Sequence, residues 1–360
     1  MINVDERLKA LCAVANDFFT NALEKSDEAC SYLDSRGITI DDVNGFNIGY
    51  CHQGFVQYFT YNRIIERLLP FYNNAEGLTK KDEFVEVLHG DLKKIGLLGE
   101  NDERKYPVLN DRVIFPIRDE LGDIVSFAGR LIKERDSAKY INGKTSPIYE
   151  KTDTIYGLDR IAAIKKKMRF IPVNEGYLDV IALGRVGLLS VAVCGTACTK
   201  EHIQTLFNHT DTVVLCLDGD KAGIEAAIKA AITALPYLNN ERTVKVKFLD
   251  AGQDPDSIIT DGLNTLSRDE VRRHFTQNLL DCHSLVDILV RAAETECPGN
   301  EAKQNVVLAS YAMKAPMDSA VRAEIVDRIM LREIKAEKID LKEATSVVAE
   351  ASRAELQVRP

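Results

Sequence analysis

Six acidic residues fall in three pairs along the middle of this 360-residue chain: Glu175 and Asp179, Asp218 and Asp220, Asp254 and Asp256. They stand in the words EGYLD (175–179), LDGD (217–220) and DPD (254–256). Carboxylates gathered in one place repel one another strongly unless cations neutralise them. Oxygen-only donors select hard cations, and a sparse carboxylate set suits Mg²⁺, which keeps waters and substrate phosphates in its shell; Mn²⁺ can stand in for it. The chemistry open to such a set is metal-assisted attack of a hydroxyl or a water at phosphorus. One acid alone reads best as an N-cap or a turn residue. Three pairs at three strand ends are harder to explain that way.

The elements around them supply that placement. Three apolar, β-rich runs (168–173, 190–194 and 212–217) each lead into a helical pattern, and a fourth strand pattern follows at 243–249. Strand–helix alternation of this kind predicts a parallel sheet covered on both faces. The acids follow the first, third and fourth runs. Ligand crevices of open α/β sheets lie at the carboxyl ends of the strands, so all six acids are expected to converge there.

These words carry a resemblance. EGYLD, CLDGDKAG (216–223) and GQDPDSI (252–258) resemble the Toprim domain of bacterial, DnaG-type DNA primases. Topoisomerases and Toprim nucleases share the Glu and the Asp-x-Asp, but not the full series. YLDSRGI (32–38) and FNIGY (46–50) resemble the segment that opens the primase catalytic core, which implies a nucleotide contact for Arg36. A solvated helix-end arginine favoured by the dipole is an equal alternative. DRVIFPIRDELGDIVSFAGR (111–130) predicts a hairpin about DELGD, with Arg112, Arg118 and Arg130 in or just beyond its strands. AKYINGKTSPIYEK (138–151) resembles the family's KYLNSPE-type segment, although Gly143-Lys144-Thr145 stands where one serine is expected, so the loop is longer. The resemblance makes Lys139, Tyr140, Asn142 and Lys151 part of a basic ridge that contacts nucleotide phosphates and template.

The expected fold is α+β to α/β. An N-terminal mixed subdomain with the ridge spans 1–165, a Toprim domain with a mostly parallel sheet 166–266, a helical bundle 267–337 and a tail 338–360. The resemblance covers nearly the whole chain and is weakest at 54–96 and 338–360. Val4, Leu8, Leu11, Ala15, Phe18 and Leu23 predict an amphipathic first helix, and Gly37 a left-handed stop to the second. Phe55, Tyr58, Phe59 and Tyr61 fall in an elaborated helical piece; such aromatics can stack on single-stranded bases but more often build a core.

Composition sets the outer bounds. At 45% hydrophobic and 28% charged, without a run of eighteen apolar residues or a signal-peptide pattern, the chain reads as a cytoplasmic protein without a membrane partner. Eight scattered cysteines fit a reducing compartment. A formal net charge of −9 argues weakly against non-specific coating of nucleic acid. Yet residues 104–169 hold fifteen Lys/Arg against nine Asp/Glu, which suits polyanionic substrates. The run KKKMR (165–169) reads as a solvated helix end. Cys194, Cys198, His202 and His209 lack the intervals of a zinc finger, so zinc is not expected.

The function implied is a DNA primase, a nucleotidyltransferase that makes short RNA primers from ribonucleoside triphosphates on a single-stranded DNA template. Asp218, Asp220 and Asp254 are the expected ligands of two Mg²⁺ ions, with Asp179 and Asp256 near them; Glu175 is a ligand or the general base. No CxxC or CxxH pair offers the family's zinc ribbon, and too few residues follow 338 for its helicase-binding domain. A replicative helicase or a separate zinc-ribbon protein is therefore the expected partner, and the chain a minimal primase or an excised core. The second reading is a Toprim nuclease that directs water at a phosphodiester.

Overall fold

The structure, a computed structural model, describes residues 3–72, 81–102, 104–133, 137–195 and 197–335. The tail expected at 338–360 and Thr196 lie outside the described residues. The chain divides into two compact units and crosses between them more than once. One holds Met1–Lys165, Gly176–Thr196 and Asp256–Val271; the other holds Lys166–Glu175, Ala197–Pro255 and Arg272–Pro360.

The first unit is built on an antiparallel sheet of four strands, in the order Gly49–Cys51, Arg112–Arg118, Ile124–Leu131, Tyr140–Asn142. The two central strands form the expected hairpin. Gly122 takes a φ of +91° at its turn, and Asp119 Oδ1 accepts the amides of Leu121 and Asp123. Because side chains alternate along a strand, Ile114 enters one apolar cluster while Val113, Phe115 and Ile117 enter another. The first cluster is completed by the helix Val4–Leu23, where Leu8, Leu11, Ala15 and Phe18 are buried in it as the spacing predicts, Leu23 is buried in the second cluster and Val4 is exposed. The second includes the helix Tyr177–Arg185, whose Tyr177 ring stacks on Phe115 at 5.3 Å. The short helix Asp27–Ser35 closes as expected: Gly37 has φ +65°, its N–H donates to Asp34, and the next N–H, of Ile38, donates to Leu33. Within 54–96 the described residues form the helices Phe55–Tyr58, Asn62–Leu68 and Lys81–Lys94, so that stretch is helical as anticipated.

The second unit holds three parallel strands, Ile171–Asn174, Thr212–Leu217 and Thr243–Phe248, with Thr212–Leu217 in the middle. That middle strand is apolar and buried from Val213 to Leu217, as befits a strand covered on both faces. Helices Lys200–His209 and Lys221–Ala234 are the crossovers. Leu285–Glu296, Glu301–Lys314 and Ala320–Lys335 form a helical region about Val286, Leu289, Leu308 and Ile325. Two strand expectations need correcting. The first strand begins only at Ile171, Met168 making no more than an isolated bridge to Thr210, and the 190–194 run shrinks to Val191–Ala192, which bridges Tyr156 within the first unit. No helix among the described residues is long and apolar enough to cross a membrane.

Candidate functional site

Parallel pairing decides where the acids of the second unit fall. Val173 is registered with Leu215, so Glu175 leaves its strand level with the end of the neighbouring one, where Asp218 begins its turn. Glu175 Oε1 accepts the Asp218 amide at 3.3 Å. Asp220 then caps the helix Lys221–Ala234, its Oδ1 accepting from the Gly223 N–H at 2.8 Å. The two glycines of DGDKAG are there for closeness. A Cβ on Gly223 would strike the Asp218 carbonyl and come within 2.9 Å of Glu175 Oε1, and one on Gly219 would strike the Asp250 carbonyl. The Gly219 N–H donates to the Gln253 carbonyl at 3.2 Å, which ties this turn to the loop carrying Asp254. Burial pushes the Glu175 carboxyl above the usual carboxylate range; the charge of Asp220 adds to that rise and the Asp218 amide opposes it.

Asp179 and Asp256 belong to the first unit and are engaged differently. Asp179 Oδ2 accepts the Gly176 amide at 2.9 Å, and its Oδ1 accepts the Asp256 amide at 3.3 Å. Asp256, only 5% exposed, ion-pairs with Arg36 and, at 3.2 Å, with Arg185. Arg185 is itself buried and donates to the Gly37 carbonyl (2.7 Å) and Thr260 Oγ1 (2.9 Å). Two carboxylates and two guanidiniums give a neutral network, the form in which buried charge is tolerated. Of the six acids expected to converge, Glu175, Asp218, Asp220 and Asp254 thus belong to the second unit and Asp179 and Asp256 to the first; among the described residues no group of three or more His, Cys, Asp or Glu is placed to hold a metal ion. Arg185 went unnoticed in the sequence; its signal was a lone basic residue in the mostly apolar helix YLDVIALGR.

The cationic residues of the first unit also separate by environment. Arg112 is 2% exposed, with its guanidinium on the carbonyls of Gly129 and Lys139 and on Ser137 Oγ, and so pins the 137–139 segment. Arg118 bonds Asn47 Oδ1 and the Gly122 carbonyl. Arg130 lies over the rings of Tyr32 and Tyr140, 5.7 and 5.0 Å from their centroids, and donates to Tyr140 Oη. Asn142 takes the Tyr177 hydroxyl on Oδ1 and gives its amide to the Cys194 carbonyl. Lys139 is exposed and Lys151 partly so, and neither forms an ion pair among the described residues. Burial pushes the Cys194 and Cys198 thiols up, Cys198 to about 12, and His202 Nδ1 accepts the Thr199 amide.

A parallel sheet with acids at adjoining strand ends and a glycine-permitted close turn defines a Toprim-like unit, and residues 172–259 match the family model described as Toprim-like. Residues 18–162 match the model for the N-terminal domain of the DNA primase catalytic core. The DNA primase of Pasteurella multocida is 31% identical over 326 residues, covering 90% of this chain and 50% of the relative. A solved DNA primase domain from Pseudomonas aeruginosa overlays with a TM-score of 0.76 at 27% identity, covering 95% of this chain and 99% of that one. A DnaG primase catalytic domain bound to ssDNA overlays with a TM-score of 0.74 at 28% identity, covering 90% and 97%. The chain belongs to the DnaG-type DNA primase family and has its catalytic-core fold. It spans about half the length, or less, of the curated relatives it matches.

Proposed function

We propose that this chain synthesises short RNA primers on single-stranded DNA by metal-assisted nucleotidyl transfer. The observation that carries the proposal is the Glu175–Asp218–Asp220 turn, in which Gly219 and Gly223 let backbone and carboxylate approach closer than any side chain would allow. A carboxyl raised by burial and by a neighbouring acid is a group that a divalent cation stabilises in its ionised form. The donor set is all oxygen, which fits Mg²⁺, and Glu175, Asp218, Asp220 and Asp254 are the residues that would hold it. Bound there, the metal would supply charge neutralisation at the triphosphate and a lower pKa for the attacking hydroxyl.

The protein's own groups do the positioning. Lys139 and Lys151 give mobile positive charge to phosphates, while Arg130, held between two tyrosine rings, offers a fixed guanidinium plane. Asp256 sets the places of Arg36 and Arg185, so that Arg36, partly exposed, can present its remaining donors to a nucleotide. Asp179 acts through Asp256 by holding its amide. Single-stranded DNA as template is supported by the solved DnaG catalytic domain bound to ssDNA. The test is incubation with single-stranded DNA, labelled ribonucleotides and Mg²⁺. Labelled primers support the proposal; nicked DNA would replace it with a nuclease, and no product at all would reject it.

A further inference from the structure

The first unit holds a cavity of about 540 Å³ between the helix Val4–Leu23 and the segment 52–67. That volume lies within the span of small-molecule sites, roughly 300–1,000 Å³. Three rings and two cations define it. Phe18, 8% exposed, lies 5.0 Å from the exposed ring of His52 and 5.1 Å from the half-buried ring of Tyr58. The aromatic cluster flagged in the sequence thus divides: Phe55 and Phe59 are fully buried in the core, and Tyr58 faces this cavity.

The His52 ring is fixed. The Gly54 N–H donates to its Nδ1 at 3.0 Å, so the neutral ring carries its proton on Nε2, and a Cβ on Gly54 would come within 2.6 Å of the ring. Burial lowers the imidazole below its usual range and the Lys25 charge lowers it further, against an opposing pull from Asp111; the neutral donor form is favoured. Around the mouth, Arg67 is paired with Asp17, but Lys25 and Arg63 are exposed and form no ion pair among the described residues. Two positive charges with no ion-pair partner among the described residues, beside these rings, make an aromatic platform with a phosphate funnel. A ligand bearing only carboxylates would leave the rings unused. A duplex would keep its bases stacked on one another, with no free face to lay on a ring.

We propose that this cavity binds one nucleotide unit, its base against Tyr58 and His52 and its phosphate on Lys25 and Arg63, drawn from single-stranded nucleic acid or from a free nucleotide. None of these residues belongs to the acidic turn, so the inference stands apart from the proposed catalysis.

The probes are an oligothymidylate carrying 5-iododeoxyuridine and, separately, 8-azidoadenosine triphosphate, with photolabelled peptides mapped by mass spectrometry. Label on Tyr58 or His52 is expected. The double variant Lys25→Glu/Arg63→Glu should cut that label about tenfold, since both charges then repel phosphate, and Lys25→Arg/Arg63→Lys should restore it. Both positions are exposed, and unchanged circular dichroism will confirm folding. Asp218→Ala should leave the label in place, which separates this site from the proposed metal site. Labelling by the oligonucleotide assigns the cavity to a strand, and labelling by the azido nucleotide alone assigns it to a free nucleotide. If neither probe labels residues 17–67, or if the charge reversals leave the label unchanged, the proposal is overturned.

Discussion

Glu175 lies against the backbone of Asp218, its carboxylate accepting the amide N–H at 3.3 Å. A side chain at the end of one strand therefore senses the path of the next. The acids stay grouped only while the two strands hold register from Ile171↔Val213 to Val173↔Leu215. Function on this account depends on sheet geometry one step removed from any substrate.

That relationship predicts a pH-linked metal effect. The Glu175 pKa is raised by burial first and by Asp220 second, so the folded state holds the proton more tightly than the unfolded chain. The resulting stability is fully present below the ordinary carboxylate pKa and is lost as pH rises through the folded value. A divalent cation favours the ionised form and should reverse that loss. Mn²⁺ should therefore raise the melting temperature near neutral pH, by an amount that shrinks on acidification into the carboxylate range. Glu175→Gln should melt higher than wild type near neutral pH without metal and respond little to Mn²⁺. An equal Mn²⁺ response in the variant would remove Glu175 from the metal set.

Gly223 tests the closeness of the turn. In an exposed helix, Gly→Ala adds about 1 kcal/mol of stability. Here the new Cβ meets the Asp218 carbonyl and Glu175 Oε1, so the turn must open. Primer synthesis by Gly223→Ala should fall at least about tenfold, equivalent to about 1.4 kcal/mol of lost transition-state stabilisation, while urea denaturation shows no global unfolding. Undiminished synthesis would show that the close approach is not part of the chemistry.

How much of this was legible in the sequence depends on the range of the interaction. The alternation in DRVIFPIRDELGDIVSFAGR and the glycines of LDGDKAG are local signals, and the hairpin and the acidic turn follow from them. Asp256 is different, because its partners Arg36 and Arg185 stand 220 and 71 residues away in the chain. No local pattern announces such a pairing, so the sequence shows Asp256 and Asp179 only as acids of the series and not as partners of an arginine. The burial of Arg112 was illegible for a related reason. Its acceptors are backbone carbonyls, which leave no residue-type trace, and a charged residue at a strand end reads as exposed.

The buried network should carry stability rather than catalysis alone. Asp256 faces two guanidiniums, and Arg185 is the more enclosed, with side-chain exposure of 4% against 35% for Arg36. Arg185→Leu leaves a buried carboxylate short of one partner and should cost on the order of 3 kcal/mol. Arg36→Gln, nearer to water, should cost less, on the order of 1 kcal/mol, yet raise the apparent KM for nucleotide. Urea denaturation followed by circular dichroism ranks the two. If Arg36→Gln proved the more destabilising, the assignment of structural and substrate-facing roles would have to be exchanged.

Lys139 and Arg112 give the sharpest contrast, because they stand at either end of one contact: the Arg112 guanidinium holds the Lys139 carbonyl, while the Lys139 ammonium points to no protein partner among the described residues. If Lys139 meets a phosphate, Lys139→Ala removes one released counterion. The slope of log K against log salt for a single-stranded oligonucleotide should then become shallower by about 0.7. Stability should stay within about 0.5 kcal/mol, as for most exposed positions. Arg112→Ala should do the opposite to stability, at a cost on the order of 3 kcal/mol for the lost buried hydrogen bonds and the vacated space, and whatever binding survives should keep the wild-type salt slope. Fluorescence anisotropy across a salt series, paired with urea melts, reads both quantities for each variant. A salt slope that moved with Arg112 and not with Lys139 would mean that the buried arginine reaches the strand, and the ridge would have to be redrawn around it.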